Sequence, residues 1–166
     1  MGGITLKWDK LFSMQKKLDS YIKNNHQLTS ANLFEEKFLA LLVELGELAN
    51  ETRCFKFWST KTKSERSVIL EEYVDNIHFL LSIGLEKSYT FSEIEPSITY
   101  LKETQAFNHL YHVCLTFYQA PSEENYVAMF KEYLRLGKLL GFSEEDVMQA
   151  YHEKNEVNYE RQQTGY

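Results

Sequence analysis

Two pairs of acidic residues lie inside apolar stretches of the sequence. Glu44 and Glu47 lie within FLALLVELGELANE, and Glu72 and Asp75 lie within VILEEYVDNIHFLLSIG. Residues three apart share one face of a helix, so each pair directs both carboxylates the same way. A buried carboxylate needs a counter-charge or a metal ion. Two such helices side by side would form an oxygen-lined site for Mg²⁺, which usually handles substrate phosphates. Two solvated helix edges are the alternative that the residues leave open.

Two other acidic features are weaker. Glu153 and Glu156 repeat the spacing, but they lie in the polar stretch HEKNEVNYERQQ, which favours a solvated helix face. Glu51 follows Glu47 by four residues and extends the same acidic face. It is either a further ligand or an exposed glutamate at a helix end.

Length and composition limit the kind of protein. With 166 residues, of which 43% are hydrophobic and 25% charged, we expect one globular domain, 1–166. The net charge of −6 disfavours nucleic acid as a partner but does not exclude a nucleotide. Cys54 and Cys114 have no metal-binding or redox spacing, which is typical of buried thiols in a reducing compartment. The N-terminus has no signal peptide and the apolar runs are too short to span a membrane, so we expect a cytoplasmic protein.

The spacing of apolar residues predicts helices through nearly the whole chain. Only 2 prolines and 7 glycines are present, and no strand-like alternation occurs. We therefore expect an all-α, single-domain helical bundle of five or six helices. The predicted helices lie around residues 11–22 and at about 34–53, 64–85, 98–118, 121–141 and 143–162. The predicted caps are Asn32 with Glu35, Thr90 with Glu93 ahead of Pro96, and Ser143 with Asp146.

The segment FKFWSTKTKS between the second and third predicted helices breaks the helical period and is basic. Arg53, Lys56, Lys61 and Lys63 lie close to where an anion held by a metal would bind, although any single lysine here is more often solvated. Trp58 lies between charged neighbours. Its indole either stacks on a flat ligand such as a base or fills a gap in the core.

The tail is polar after an apolar body. Lys154 and Arg161 could contact phosphate, and Asn155, Asn158 and Tyr159 could make directional hydrogen bonds. A frayed C-terminus is the alternative.

The sequence resembles a known family at these residues. E-x-x-E followed by E-x-x-D on two helices is similar to the motif of the all-α nucleoside triphosphate pyrophosphatases. These include MazG-like proteins, dimeric dUTPases and dCTP pyrophosphatases. Four stretches resemble the dimeric dUTPases in particular: MQKKLDSYI, ELGELANETRCFKFWS, EEYVDNIHFLLSIG and the tail KNEVNYERQ. The similarity extends from about Leu11 to Tyr166 and is weakest between residues 86 and 140.

The resemblance implies Mg²⁺-dependent hydrolysis of dUTP, and often dUDP, to dUMP with release of pyrophosphate or phosphate. It implies a homodimer with sites near the subunit interface, as the apolar third helix and aromatic middle segment also suggest. Glu44, Glu47, Glu72 and Asp75 would be the catalytic metal ligands, and Glu44 would also orient or deprotonate the attacking water. The implied substrate-binding residues are Gln15, Lys56, Trp58, His78, Lys154, Asn158, Tyr159 and Arg161.

Some assignments stay open at this stage. His78 follows Asp75 by three residues and either faces the metal site or is a satisfied core histidine. Relatives often carry asparagine near the position of Asp19. An ionised aspartate can only accept hydrogen bonds, so the role of Asp19 stays open. The alternative functions are a pyrophosphatase for dCTP or a modified nucleotide, and a non-catalytic helical interaction protein. The four intact carboxylates argue against the second.

Overall fold

The computed structural model of the protein describes residues 3–92 and 102–165, and these form six α-helices without any strand. This confirms the predicted all-α bundle. Glu93, Pro96 and the predicted start of the fourth helix at Ile98 lie outside the described residues. Among the described helices, none is long and apolar enough to cross a membrane. The helices are α1 (Gly3–Asn25), α2 (Phe34–Thr52), α3 (Arg66–Lys87), α4 (Glu103–Gln119), α5 (Glu123–Leu139) and α6 (Glu144–Gln163).

Helix α3 forms the centre of the bundle. It packs against α1, α2, α5 and α6. A helix that is apolar on most sides is stable only when neighbours cover it, and Tyr73, Ile77 and Leu81 are all buried to within 1% of full coverage. The helix that carries Glu72 and Asp75 is therefore held rigidly from several directions.

Helices α2 and α3 form an antiparallel hairpin. Near one end, Lys37 Nζ lies 2.8 Å from Glu86 Oε2. Near the other end, the backbone N–H of Ser64 donates to the carbonyl of Glu51 at 3.1 Å. Because the two helices run in opposite directions from a shared loop, Glu44 and Asp75 reach the same height.

Of the N-caps predicted for α2 and α6, one is confirmed and one is not. The predicted capping box at Ser143 and Asp146 is confirmed at the start of α6. The predicted N-cap at Asn32 is wrong, because α2 begins at Phe34 and Leu33 has the N-cap position. Asn32 Oδ1 instead accepts the N–H of Phe34 at 3.0 Å. A carboxylate from α3 also contacts this end of α2, since Glu86 Oε1 accepts the N–H of the N-cap residue Leu33 at 2.9 Å.

A close contact between α3 and α5 depends on one glycine. The rings of Tyr73 and Tyr133 stack with centroids 4.6 Å apart, and the Tyr133 hydroxyl donates to the Tyr73 carbonyl at 2.6 Å. A Cβ at Gly137 would lie 2.1 Å from the Tyr73 hydroxyl. Glycine is therefore required where α5 supports the helix of the acidic residues.

Candidate active site

Three of the four predicted carboxylates converge. Glu44 from α2 and Glu72 and Asp75 from α3 each offer an oxygen within 4.8 Å of the others. We call these three residues the carboxylate cluster. Glu47 is exposed and lies outside this spacing, although its negative charge contributes to the raised pKa of Glu44. Glu47 lines an adjacent acidic groove together with Glu51 and Glu72.

Negative charge accumulates at the carboxylate cluster. Burial raises the pKa of Glu44 to about 7, and the negative charges of Asp75 and Glu47 add to the rise. Burial, followed by the charges of Asp75 and Glu47, likewise raises the pKa of Glu72 to about 7. Glu44 Oε2 and Glu72 Oε2 are buried and have no hydrogen-bond partner among the described residues. Buried carboxylate oxygens without partners are costly, and a hard divalent cation would satisfy them.

Lys154 forms an ion pair with the cluster. Its ammonium nitrogen lies 3.1 Å from Asp75 Oδ1 and 3.0 Å from Glu71 Oε1. Burial alone would lower the pKa of Lys154, but the two carboxylates raise it, so the side chain stays charged. The pKa of Asp75 is nevertheless raised, because burial outweighs the attraction of Lys154.

A cavity of about 350 Å³ lies beside the cluster, bounded by α1, α2, α3 and α6. At one end Glu44, Asp75, Lys154 and Arg161 line it. Gln15, His78 and Asn158, for which substrate contacts are a prediction, also line it. Pockets of this size hold small ligands. Tyr159, which the sequence analysis also assigned to substrate binding, is not among the residues that line the cavity.

The ring of Tyr159 instead packs against Tyr21, with centroids 5.3 Å apart. This contact joins α6 to α1 along the side of the cavity. The tail is therefore a helix that closes one wall, and the frayed-terminus alternative does not hold for residues 154–163.

The α2–α3 loop (residues 53–65) does not reach the cavity within this chain. Neither Lys56 nor Trp58 is among its lining residues. Trp58 is 65% exposed and Phe57 is 93% exposed, so the indole does not fill a core gap. Arg53 keeps the loop ordered by donating to Ser59 Oγ at 2.8 Å and to the Lys61 carbonyl at 3.2 Å.

A second group of polar side chains also lines the cavity. We call Gln15, Asp19, His78 and Ser82 the inner wall. The carboxylate of Asp19 accepts from Ser82 Oγ at 2.7 Å and from Gln15 Nε2 at 2.9 Å. The ring of His78 stacks on Tyr151 with centroids 4.2 Å apart, and burial lowers its pKa to about 3, so the ring is neutral.

Sequence reasoning missed several residues of the cavity, chiefly Lys23, Lys37 and Ser82. Each lies on a different helix, and lysines on amphipathic helices are usually solvated. The side chains of Lys23 and Lys37 are only 21% and 12% exposed. The weak signal available was Ser82, a hydroxyl in the apolar run HFLLSIG, where a buried polar group must find a partner.

Comparison with known proteins agrees with this geometry. The family model described as dUTPase matches residues 7–166, almost the whole chain. No curated protein matches the chain. The matched region includes the carboxylate cluster, the cavity and the inner wall. The chain therefore belongs to the all-α, dimeric dUTPase family of dUTP diphosphatases.

Proposed function

We propose that this protein hydrolyses dUTP, and also dUDP, to dUMP in an Mg²⁺-dependent reaction that releases pyrophosphate or phosphate. The observation that carries the proposal is the pair of buried, unpartnered oxygens of Glu44 and Glu72 beside a cavity of about 350 Å³. Such a site combines an unmet need for cations with room for a small ligand.

The residues of the cluster fit a divalent cation. Glu44, Glu72 and Asp75 would hold it, and Glu47 would add a ligand from the acidic groove. Mg²⁺ bound there would offset phosphate charge, polarise the phosphorus and lower the pKa of a bound water.

Glu44 has the properties of a proton acceptor. Glu44 lines the cavity beside the proposed cation site, so its carboxylate would lie next to a water held there. In the proposed reaction the Glu44 carboxylate takes a proton from the attacking water as the water oxygen bonds to the α-phosphorus. The bond from that phosphorus to the bridging oxygen then breaks, and its electron pair leaves with pyrophosphate.

Phosphates and nucleoside would occupy different ends of the cavity. Lys154 uses two of its three ammonium protons on Glu71 and Asp75, which leaves one for a phosphate oxygen. Arg161 lines the same end. Gln15, His78 and Asn158 would then contact the base and the deoxyribose.

We also propose that the working unit is a homodimer. Phe57 and Trp58 are 93% and 65% exposed, and Leu39 on α2 is 62% exposed. The α2–α3 loop is basic, whereas the groove lined by Glu47, Glu51 and Glu72 is acidic. A second copy would cover the apolar side chains and could bring Lys56 and Trp58 to the neighbouring site. A cytoplasmic location is proposed with it, since Cys54 and Cys114 are both free thiols.

A panel of nucleotides assayed with Mg²⁺ tests the function. We expect dUTP to be preferred to dTTP and UTP by about a hundredfold, because a close-fitting pocket rejects the 5-methyl and the 2′-hydroxyl. The products should be dUMP and pyrophosphate. Equal turnover of dUTP, dCTP and dTTP would leave the pyrophosphatase chemistry intact and overturn the preference for dUTP.

A further inference from the structure

We infer that Asp19 is a positioning residue that fixes the hydrogen-bonding direction of the inner wall through Gln15 and His78. The inference rests on the proposed nucleotide site, because it assigns the groups that would meet the base. Asp19 itself need not touch the substrate in this role.

Asp19 determines which way the Gln15 amide faces. Its Oδ1 accepts from Gln15 Nε2 at 2.9 Å, and its Oδ2 accepts from Ser82 Oγ at 2.7 Å. Lys37 Nζ lies 3.8 Å from the same Oδ2. Burial raises the pKa of Asp19, but the charge of Lys37 and the hydrogen bonds from Ser82 and Gln15 oppose this rise because they stabilise the ionised form. An ionised carboxylate can only accept. The reversed amide would place Gln15 Oε1 against a carboxylate oxygen, two acceptors without a proton between them. Asp19 therefore excludes that orientation.

Gln15 in turn determines the tautomer of His78. Gln15 Oε1 lies 2.7 Å from His78 Nδ1 and accepts the Tyr151 hydroxyl at 2.9 Å. An amide oxygen accepts but does not donate, so His78 Nδ1 must carry a hydrogen. Because the buried ring is neutral, with a pKa lowered to about 3, His78 Nε2 must carry a lone pair.

The lone pair of His78 Nε2 accepts no hydrogen bond from the described residues. His78 is only 5% exposed, and its Nε2 is a buried atom without a hydrogen-bond partner there. An unsatisfied buried acceptor costs about 1–3 kcal/mol. Gln15 keeps a second amide N–H that Asp19 does not occupy. The inner wall thus offers one donor and one acceptor, which complements a nucleobase edge where an acceptor lies beside an N–H.

The tautomer of His78 is a direct test that needs no catalysis. Nitrogen-15 NMR of the unaltered, ligand-free protein should show His78 protonated on Nδ1 and bare at Nε2. Asp19→Ala removes the constraint on Gln15, so the His78 signals should shift towards a mixture of tautomers. A wild-type His78 that carries its proton on Nε2 would overturn the inference even if the variant failed to fold.

An isosteric replacement removes only the acceptor-only character of the side chain. Asp19→Asn adds an N–H donor, so it can pair with either orientation of the Gln15 amide and no longer excludes the reversed one. We expect Asp19→Ala to raise KM for dUTP about tenfold or more with kcat changed less, and Asp19→Asn to raise KM in the same direction and to shift the His78 signals towards a mixture of tautomers. If His78 kept its proton on Nδ1 in both variants, Asp19 would not set the direction and the inference would be wrong. A wild-type protein that leaves dUTP intact would contradict the proposed function. The His78 signals would still test this inference, because they do not depend on catalysis.

Discussion

Glu72 and Glu86 are the same kind of side chain on the same helix, yet their surroundings are opposite. Glu86 accepts from Lys37 at 2.8 Å, from Lys23 at 3.4 Å and from the N–H of Leu33 at 2.9 Å. Burial would raise its pKa, but these hydrogen bonds and positive charges lower it. Glu72 is surrounded by other carboxylates, and its pKa is raised to about 7.

The difference separates a structural carboxylate from one that awaits a ligand. Glu86 closes the start of α2 with partners supplied by the chain itself. Glu72 has a buried oxygen with no partner among the described residues. Strongly shifted groups collect at functional sites, because a fold has no structural reason to bury unpaired like charges. Replacing each of the two carboxylates in turn by an amide tests this distinction.

Turnover should show the largest contrast. Glu72→Gln removes a proposed metal ligand and should lower kcat by about a hundredfold to a thousandfold. Glu86→Gln should leave turnover within about threefold of wild type, because Glu86 lies outside the cavity lining. Steady-state rates with saturating Mg²⁺ check both. A Glu72→Gln enzyme with nearly full activity would remove Glu72 from the metal site.

Stabilisation by Mg²⁺ should follow the same division. A ligand that binds only the folded state at about 100 times its Kd adds about 2.7 kcal/mol to the free energy of unfolding. Wild type and Glu86→Gln should both gain this in Mg²⁺. Glu72→Gln should gain much less. Thermal unfolding with and without Mg²⁺ measures it, and an equal gain in all three proteins would place the cation elsewhere.

The metal-free proteins should rank in the reverse order of stability. Glu86→Gln loses its charged pairs with two lysines. We expect the free energy of unfolding to fall by about 2 kcal/mol, which is less than the ~3–5 kcal/mol lost when a fully buried pair is broken. Glu72→Gln relieves repulsion and should be neutral or slightly stabilising. Glu156→Gln, at an exposed position, is the matched control and should change little. Urea unfolding in EDTA gives the three values. A Glu72→Gln protein less stable than Glu86→Gln would refute the assignment.

The smallest contrast concerns pH. A carboxyl with a raised pKa keeps its proton in the folded protein at pH values where the unfolded chain has lost it. For Glu44 and Glu72 the ordinary value is 4.5 and the folded value about 7. Their contribution to stability is therefore complete below pH 4.5 and is lost as pH rises towards 7. Glu86 acts in the opposite direction, since its lowered pKa adds stability above its ordinary value that is lost in acid.

The metal-free wild type should consequently lose stability across that window relative to Glu72→Gln. Unfolding free energies at several pH values in EDTA measure the difference between the two proteins. A difference that stays constant from pH 4.5 to 7 would show that Glu72 does not titrate as described.

Sequence predicted most of what depends on local spacing. The helices and the convergence of Glu44, Glu72 and Asp75 follow from i, i+3 spacing and one helical hairpin. The capping box at Ser143 is equally local. The assignment of Asn32 as the N-cap was wrong because Leu33 has that position. The N–H of Leu33 is bound by Glu86 from α3, and no local pattern specifies such a distant partner.

The inner wall could not be predicted for the same physical reason. Gln15, His78 and Tyr151 meet from α1, α3 and α6, and their hydrogen-bond directions depend on Asp19. Sequence identified Gln15 and His78 through a resemblance, without their mutual contacts. Lys56 and Trp58 stay predictions, since they lie outside the cavity of a single chain.

The release of pyrophosphate from dUTP, measured against Mg²⁺ concentration after removal of metal by EDTA, tests the central claim most directly. Wild type and Glu72→Gln are compared in the same assay. We predict no release by either protein without a divalent cation, saturable release by wild type as Mg²⁺ is added, and at least about a hundredfold less by Glu72→Gln. Release by metal-free wild type, or equal release by the two proteins at saturating Mg²⁺, would contradict the claim that this cluster holds the cation for the reaction.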